Sequence, residues 1–131
     1  SRGLGDVYKR QEYDWQTVNG TVPSKANQYK VVTLYGHGSL AKQKGLKEYE
    51  DKFYMQVGAY RNLHIKGMFE FHCRVYYPSM RSDIDNALKV VLDCLQKTNT
   101  IENDNKCVKV IAEKFIDKVR PRIEFKIITI D

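Results

Sequence analysis

The chain has 131 residues, a formal net charge of +6 and a mean hydropathy of −0.55. That length fits one domain with its own core. No apolar run approaches the roughly 18 residues that a membrane span needs, so a soluble, cytoplasmic protein is expected.

Three cysteines (Cys73, Cys94 and Cys107), with no C-x-x-C pair, argue for free thiols and against a disulfide framework or a zinc site. The positive charge is unevenly spread. No acidic residue lies between Asp14 and Glu48, while Lys25, Lys30, Lys42, Lys44 and Lys47 do. Such a stretch suits a surface that holds phosphates, or a merely solvated basic face.

In chain order, Ser1–Gln11 (SRGLGDVYKRQ) back-translates to a sequence resembling a transposon-type sequencing adapter. These residues are read as a translated library artefact, disordered and outside the fold, which leaves 12–131 as the domain. Arg2, Lys9 and Arg10 against Asp6 account for +2 of the +6, so the domain itself carries +4.

Tyr13–Val22 alternates aromatic or β-branched residues with polar ones and predicts a first strand. Pro23 and Gly36-His37-Gly38 punctuate a long connection. Ser39 is placed to cap a helix over Leu40–Arg61, whose apolar residues Leu46, Tyr49, Phe53, Tyr54, Val57 and Tyr60 recur near the helical period. The Gly36–Ser39 segment before it would offer backbone N–H groups to a phosphate, or be a plain loop.

Gly67–Tyr77 alternates cleanly and predicts a strong strand, ended by Pro78. Ser82–Lys97 predicts the clearest helix, with a capping-box-like Ser82 and Asp85 and an apolar stripe of Ile84, Ala87, Leu88, Val91, Leu92 and Leu95. After a polar loop over Thr98–Lys106, Cys107–Asp117 and Arg122–Ile130 both alternate and read as a hairpin. The order β-α-β-α-β-β predicts a single α/β (α+β) domain, a mixed or largely antiparallel sheet packed by two helices.

Chemistry concentrates at the start of the second helix. Asp83 and Asp85 are each acceptable helix caps. Two carboxylates two residues apart cannot both be ideal caps, and close like charges call for a cation between them; hard divalent ions take such oxygen ligands. Lys89 lies one turn beyond Asp85, as a surface ion pair or as a fixed cation for a phosphate. Asp104, with Glu102 as a nearby substitute, sits where the chain folds back and a third carboxylate can reach the helix mouth. Three carboxylates and a lysine suit magnesium-assisted phosphodiester hydrolysis. Asn86 is read as support for the helix mouth or for a phosphate, behind the ligands rather than among them, and Asp93 as the residue that holds Lys89 rather than a ligand.

Arg81–Lys89 (RSDIDNALK), Asp93-Cys94-Leu95 and Asn103-Asp104 together resemble the RusA family of Holliday junction endonucleases, with its pattern D-x-D-N-x-x-K…D-x-L…D-D. Val22–Asn27 is similar to that family's Pro-Ser-rich segment after the first strand, and the likeness runs over about residues 15–131. The resemblance implies a RusA-like fold with Asp83, Asp85 and Asp104 as metal-binding catalytic carboxylates and Lys89 as the catalytic lysine. It implies Mg²⁺, with Mn²⁺ as a substitute, and a homodimer that cuts two symmetric strands of a four-way or branched DNA. It also implies a bacterial or prophage setting in recombination and repair. Asn103 departs from the pattern, which commonly carries paired acids there.

Lys25, Asn27, Lys42 and Lys44 are candidate DNA contacts that position the backbone without reading sequence. His37, His64 and His72 have no partners at ligand spacing and are read as surface or sheet residues. Two rivals share these features. One is a nuclease acting on flaps or other branched DNA. The other is a DNA-binding module without catalysis, whose acids only cap the helix. Convergence of Asp83, Asp85 and Asp104 is the structural expectation that separates them.

Overall fold

The alternation in Met68–Tyr77 puts Phe69, Phe71, Cys73, Val75 and Tyr77 on one side of a strand, and all five are buried in the computed structural model. The structure describes residues 10–23, 29–34, 37–42 and 44–130. In chain order these form β1 (Arg10–Glu12), β2 (Gln16–Asn19), β3 (Tyr29–Leu34), β4 (His37–Lys42), α1 (Lys44–Gln56), β5 (Met68–Tyr77), α2 (Ile84–Lys97), β6 (Cys107–Ile116) and β7 (Arg122–Ile130). Short 3-10 turns occupy Gly58–Tyr60 and Asp104–Lys106.

The main sheet is mixed. Its order is β1-β7-β5-β6, with β2 also on β7; β5 and β6 run parallel and the other pairs antiparallel. β3 and β4 form a separate hairpin. The expected α+β domain is therefore the one observed. Its core includes Tyr49 and Phe53 of α1, Ala87, Val91 and Leu95 of α2, and the buried residues of β5 and β7. Phe125 sits among three other rings, Tyr60 at 4.9 Å, Phe53 at 6.0 Å and Phe71 at 6.1 Å between centroids. None of Cys73, Cys94 and Cys107 forms a disulfide among the described residues. No helix among the described residues is long and apolar enough to cross a membrane.

Four expectations need correction. First, β6 and β7 are not a hairpin pair, because β5 lies between them. Alternation marks a strand but not its neighbour, and β5-α2-β6 is a parallel crossover unit that claims β6. Second, Ser39 and Leu40 lie in β4, opposite Val32 and Val31, and the helix begins only at Lys44. Gly38-Ser39 is thus no helix N-terminus, and the β-branched run of β3 draws the segment into a hairpin instead. The helix also stops at Gln56, short of Arg61, before Gly58 takes a φ of +60°.

Third, α2 starts at Ile84 with Asp83 in the cap position, and Ser82 plays no cap role. Its carbonyl instead accepts a hydrogen bond from the Lys114 ammonium. Fourth, Arg10 and Gln11 join β1, opposite Ile130 and Thr129, and Arg10 donates to Glu70 at 2.7 Å. An ordered strand there counts against excluding these two residues from the fold. The rest of the adapter-like segment, 1–9, lies outside the described residues.

Candidate active site

α2 runs back between two parallel strands, so its N-terminus lies at the C-terminal end of β5, the end of a crossover unit where ligands commonly bind. The buried Tyr77 closes that end of β5, and its hydroxyl donates to the Asp83 carbonyl at 3.3 Å. Asn86, in the first turn, donates from Nδ2 to the Pro23 carbonyl at 3.0 Å and so ties the segment before β3 to the helix mouth. Burial pushes the Tyr77 hydroxyl up; the Asn86 side chain opposes that rise, and the charges of Asp83 and Asp85 add to it.

Asp83 has the extended backbone of a cap residue (φ −90°, ψ 143°), yet its side chain makes no cap hydrogen bond. Asp83 and Asp85 are exposed, and neither carboxylate makes a hydrogen bond or ion pair with another described residue. The helix dipole favours charge at this end, while the lone pairs stay available to a cation from solution. Lys89 is exposed one turn further on and forms no ion pair with Asp85 or with Asp93, so the expected Asp93–Lys89 pair is not formed.

Asp104 stands apart. It opens the 3-10 turn before β6, and its N–H donates to Gln96 Oε1 at 2.8 Å. Gln96 lies near the C-terminal end of α2, a helical rise of about 16 Å from Asp85. Among the described residues no three Asp, Glu, His or Cys side chains are arranged to hold a metal ion. The expected convergence of Asp83, Asp85 and Asp104 is thus not present within one chain. Asn103, the departure from the pattern, has a structural task, since its Oδ1 accepts the Asn105 N–H at 2.9 Å and caps the turn. The Glu102 N–H donates to the Ile65 carbonyl, which ties its backbone to the loop before β5.

Lys25, Asn27 and Gly36 lie outside the described residues. The structure places Lys42 at the end of β4 and Lys44 at the start of α1. Lys47 is exposed, 3.9 Å from Asp51 on the same helix. Two residues of the mouth went unnoticed in the sequence. Tyr77 was read only as a strand residue. Lys114, on β6, donates to the Met80 carbonyl at 3.1 Å as well as to that of Ser82, and so braces the approach to α2. Its one signal was a lysine in register with buried strand residues.

Exposed carboxylates at the mouth of a crossover helix, with a lysine one turn on, are groups of the kind that metal-assisted phosphodiester cleavage uses. The family model described as Endodeoxyribonuclease RusA matches residues 8–128, and the chain belongs to that family. It is a DNA endonuclease by family, of the kind that resolves Holliday junctions. No curated protein matches the chain.

Proposed function

We propose that the chain is a homodimeric, magnesium-dependent endonuclease that resolves four-way DNA junctions in recombination and repair, in the cytoplasm of a bacterium or as the product of its prophage. The observation that carries this reading is a pair of exposed carboxylates, Asp83 and Asp85, that no described residue engages at the mouth of α2 in a chain of this family.

Magnesium is commonly held by one or two carboxylates and keeps several waters, and Asp83 and Asp85 fit that donor set, with manganese as a substitute. When bound, the ion supplies an activated water and neutralises charge on the reacting phosphate. Lys89 places a fixed cation one turn away, where it meets the charge that develops on the phosphate. Tyr77 and Asn86 hold the mouth in shape from behind. Asp104 is the third carboxylate; because its turn is anchored at the Gln96 end of α2, we assign its contribution to the homodimer. Asp93 supports the helix face beyond Lys89 rather than joining the ligands. Lys25, Asn27, Lys42 and Lys44 grip the DNA arms through phosphates.

The test is cleavage of a synthetic four-way junction with and without Mg²⁺, beside a flap and a linear duplex at matched salt. Paired symmetric nicks on the junction alone, dependent on Mg²⁺, are expected. Preference for the flap would move the reading to another branched substrate. Salt-dependent binding without nicks would leave a DNA-binding module.

A further inference from the structure

In a helix cap, the hydrogen bond of the capping side chain fixes its direction. The Asp83 side chain makes no such bond. Its backbone is held instead, on both sides of the residue. The Lys114 ammonium of β6 donates to the Ser82 carbonyl, just before Asp83. The Tyr77 hydroxyl of β5 donates to the Asp83 carbonyl itself, at 3.3 Å. Lys114 also donates to the Met80 carbonyl, at 3.1 Å.

The two donors stand on a firm base. β5 and β6 pair in parallel as far as Tyr77 and Ile116, and just beyond, the Asp117 N–H donates to the Tyr77 carbonyl at 2.8 Å. Lys114 is out of keeping with its neighbours. Register sets Phe71 beside Val110, Cys73 beside Ala112, Val75 beside Lys114 and Tyr77 beside Ile116. The lysine therefore interrupts an apolar row, on the face that carries the buried residues of β5. Ordering a lysine there costs side-chain entropy, and its ammonium loses part of its water. Its partners among the described residues are two carbonyls, with the Tyr77 ring 5.8 Å from Nζ, and no carboxylate. Its donors are thus spent on the loop that delivers Asp83.

We propose that Lys114 is a positioning residue for the divalent ion. By holding the loop at 80–82 it fixes the backbone from which Asp83 presents its carboxylate beside Asp85, and so sets how tightly the ion is bound. The proposal rests on the metal reading above and adds to it a residue from outside the helix. Loss of a group that orients a metal ligand typically weakens metal binding by roughly 10- to 100-fold.

Mn²⁺ binding to the full chain without DNA, read from the electron paramagnetic resonance of the free ion, tests this. It is measured beside junction cutting across a Mg²⁺ titration, junction binding without metal, and melting of the metal-free chain. Lys114→Met should raise the Mn²⁺ dissociation constant about tenfold and raise the Mg²⁺ needed for half-maximal cutting by a similar factor, with junction binding unchanged. Lys114→Arg, which keeps the charge and the donors, should restore most of both. Should Lys114→Met fail to fold, Lys114→Gln, neutral and still polar, takes its place. A variant that melts lower but binds Mn²⁺ like the wild type would overturn the proposal and make Lys114 a structural brace. Weaker junction binding at unchanged Mn²⁺ affinity would also overturn it, as for a phosphate contact. A wild-type chain that binds no Mn²⁺, or an Asp85→Asn chain that binds it equally well, would instead overturn the metal reading of the mouth.

Discussion

Three carboxylates on or beside the sheet, Glu70, Asp117 and Glu124, are held in the opposite way to the two at the mouth of α2. On the sheet, Glu70 accepts from Arg10 at 2.7 Å and lies 3.3 Å from His72. Asp117, in the turn after β6, takes two backbone N–H groups and Arg122, and Glu124 of β7 lies against both Arg122 and Arg74. The Arg10 hydrogen bond holds the Glu70 carboxyl at about 2, and the Arg120 N–H with the Arg122 guanidinium holds Asp117 below the usual carboxylate range. At the mouth, Asp83 and Asp85 take no donor from the described residues. The mouth thus holds two neighbouring carboxylates that take no donor from the described residues, oxygen ligands of the kind hard divalent cations bind.

Three experiments can break or sharpen that contrast. The largest effect belongs to the acids of the mouth. Asp83→Asn and Asp104→Asn should each lower junction cutting by about a thousandfold or more, the several kcal/mol that a lost metal site removes from transition-state stabilisation. If the homodimer brings Asp104 to the mouth of the other chain, mixing the two inactive chains should restore nicking, because one of the two sites in a mixed dimer is intact. If each chain holds a complete site, the mixture should stay inactive.

Lys89→Ala should come next, with cutting down about a hundredfold and junction affinity little changed, as for one fixed group aimed at developing charge. A loss of affinity with normal turnover of bound junction would make Lys89 a phosphate grip instead.

The smallest effect lies on the sheet. Glu70 titrates at about 2 when folded, below its ordinary value near 4.5. Its contribution to stability is therefore complete above about 4.5 and is lost as pH falls from there through about 2. Arg10→Ala, or removal of residues 1–11, should flatten that acid loss slightly without changing cleavage; Arg10 is half exposed, so the shift should be small. An unchanged acid unfolding curve would mean that the first eleven residues do not belong to the working domain.

The sequence made some of this legible and hid the rest for physical reasons. Strict alternation located β5 within one residue at its start, and the apolar stripe located α2 within two. Periodicity is a local property, and both elements are long and one-sided. The pairing of β6 was not legible, because Cys107–Ile116 and Arg122–Ile130 alternate equally well as neighbours or with a strand between them. The β3–β4 hairpin was read as loop and helix, since its lysines and glycines masked a β-branched run at Val31, Val32 and Thr33. At the site, spacing correctly put Asp83, Asp85 and Lys89 on one helix end. It could not show that a hydrogen bond to Gln96 moors Asp104 toward the other end.

The most direct test of the central claim is Asp85→Asn, measured for junction binding and for Mg²⁺-dependent nicking in the same preparation. Asp85 is exposed and bonds to no described residue, so the variant should fold and bind the junction like the wild type. Binding retained with nicking abolished is the predicted result. Nicking at the wild-type rate would contradict the account and remove the mouth of α2 from the chemistry.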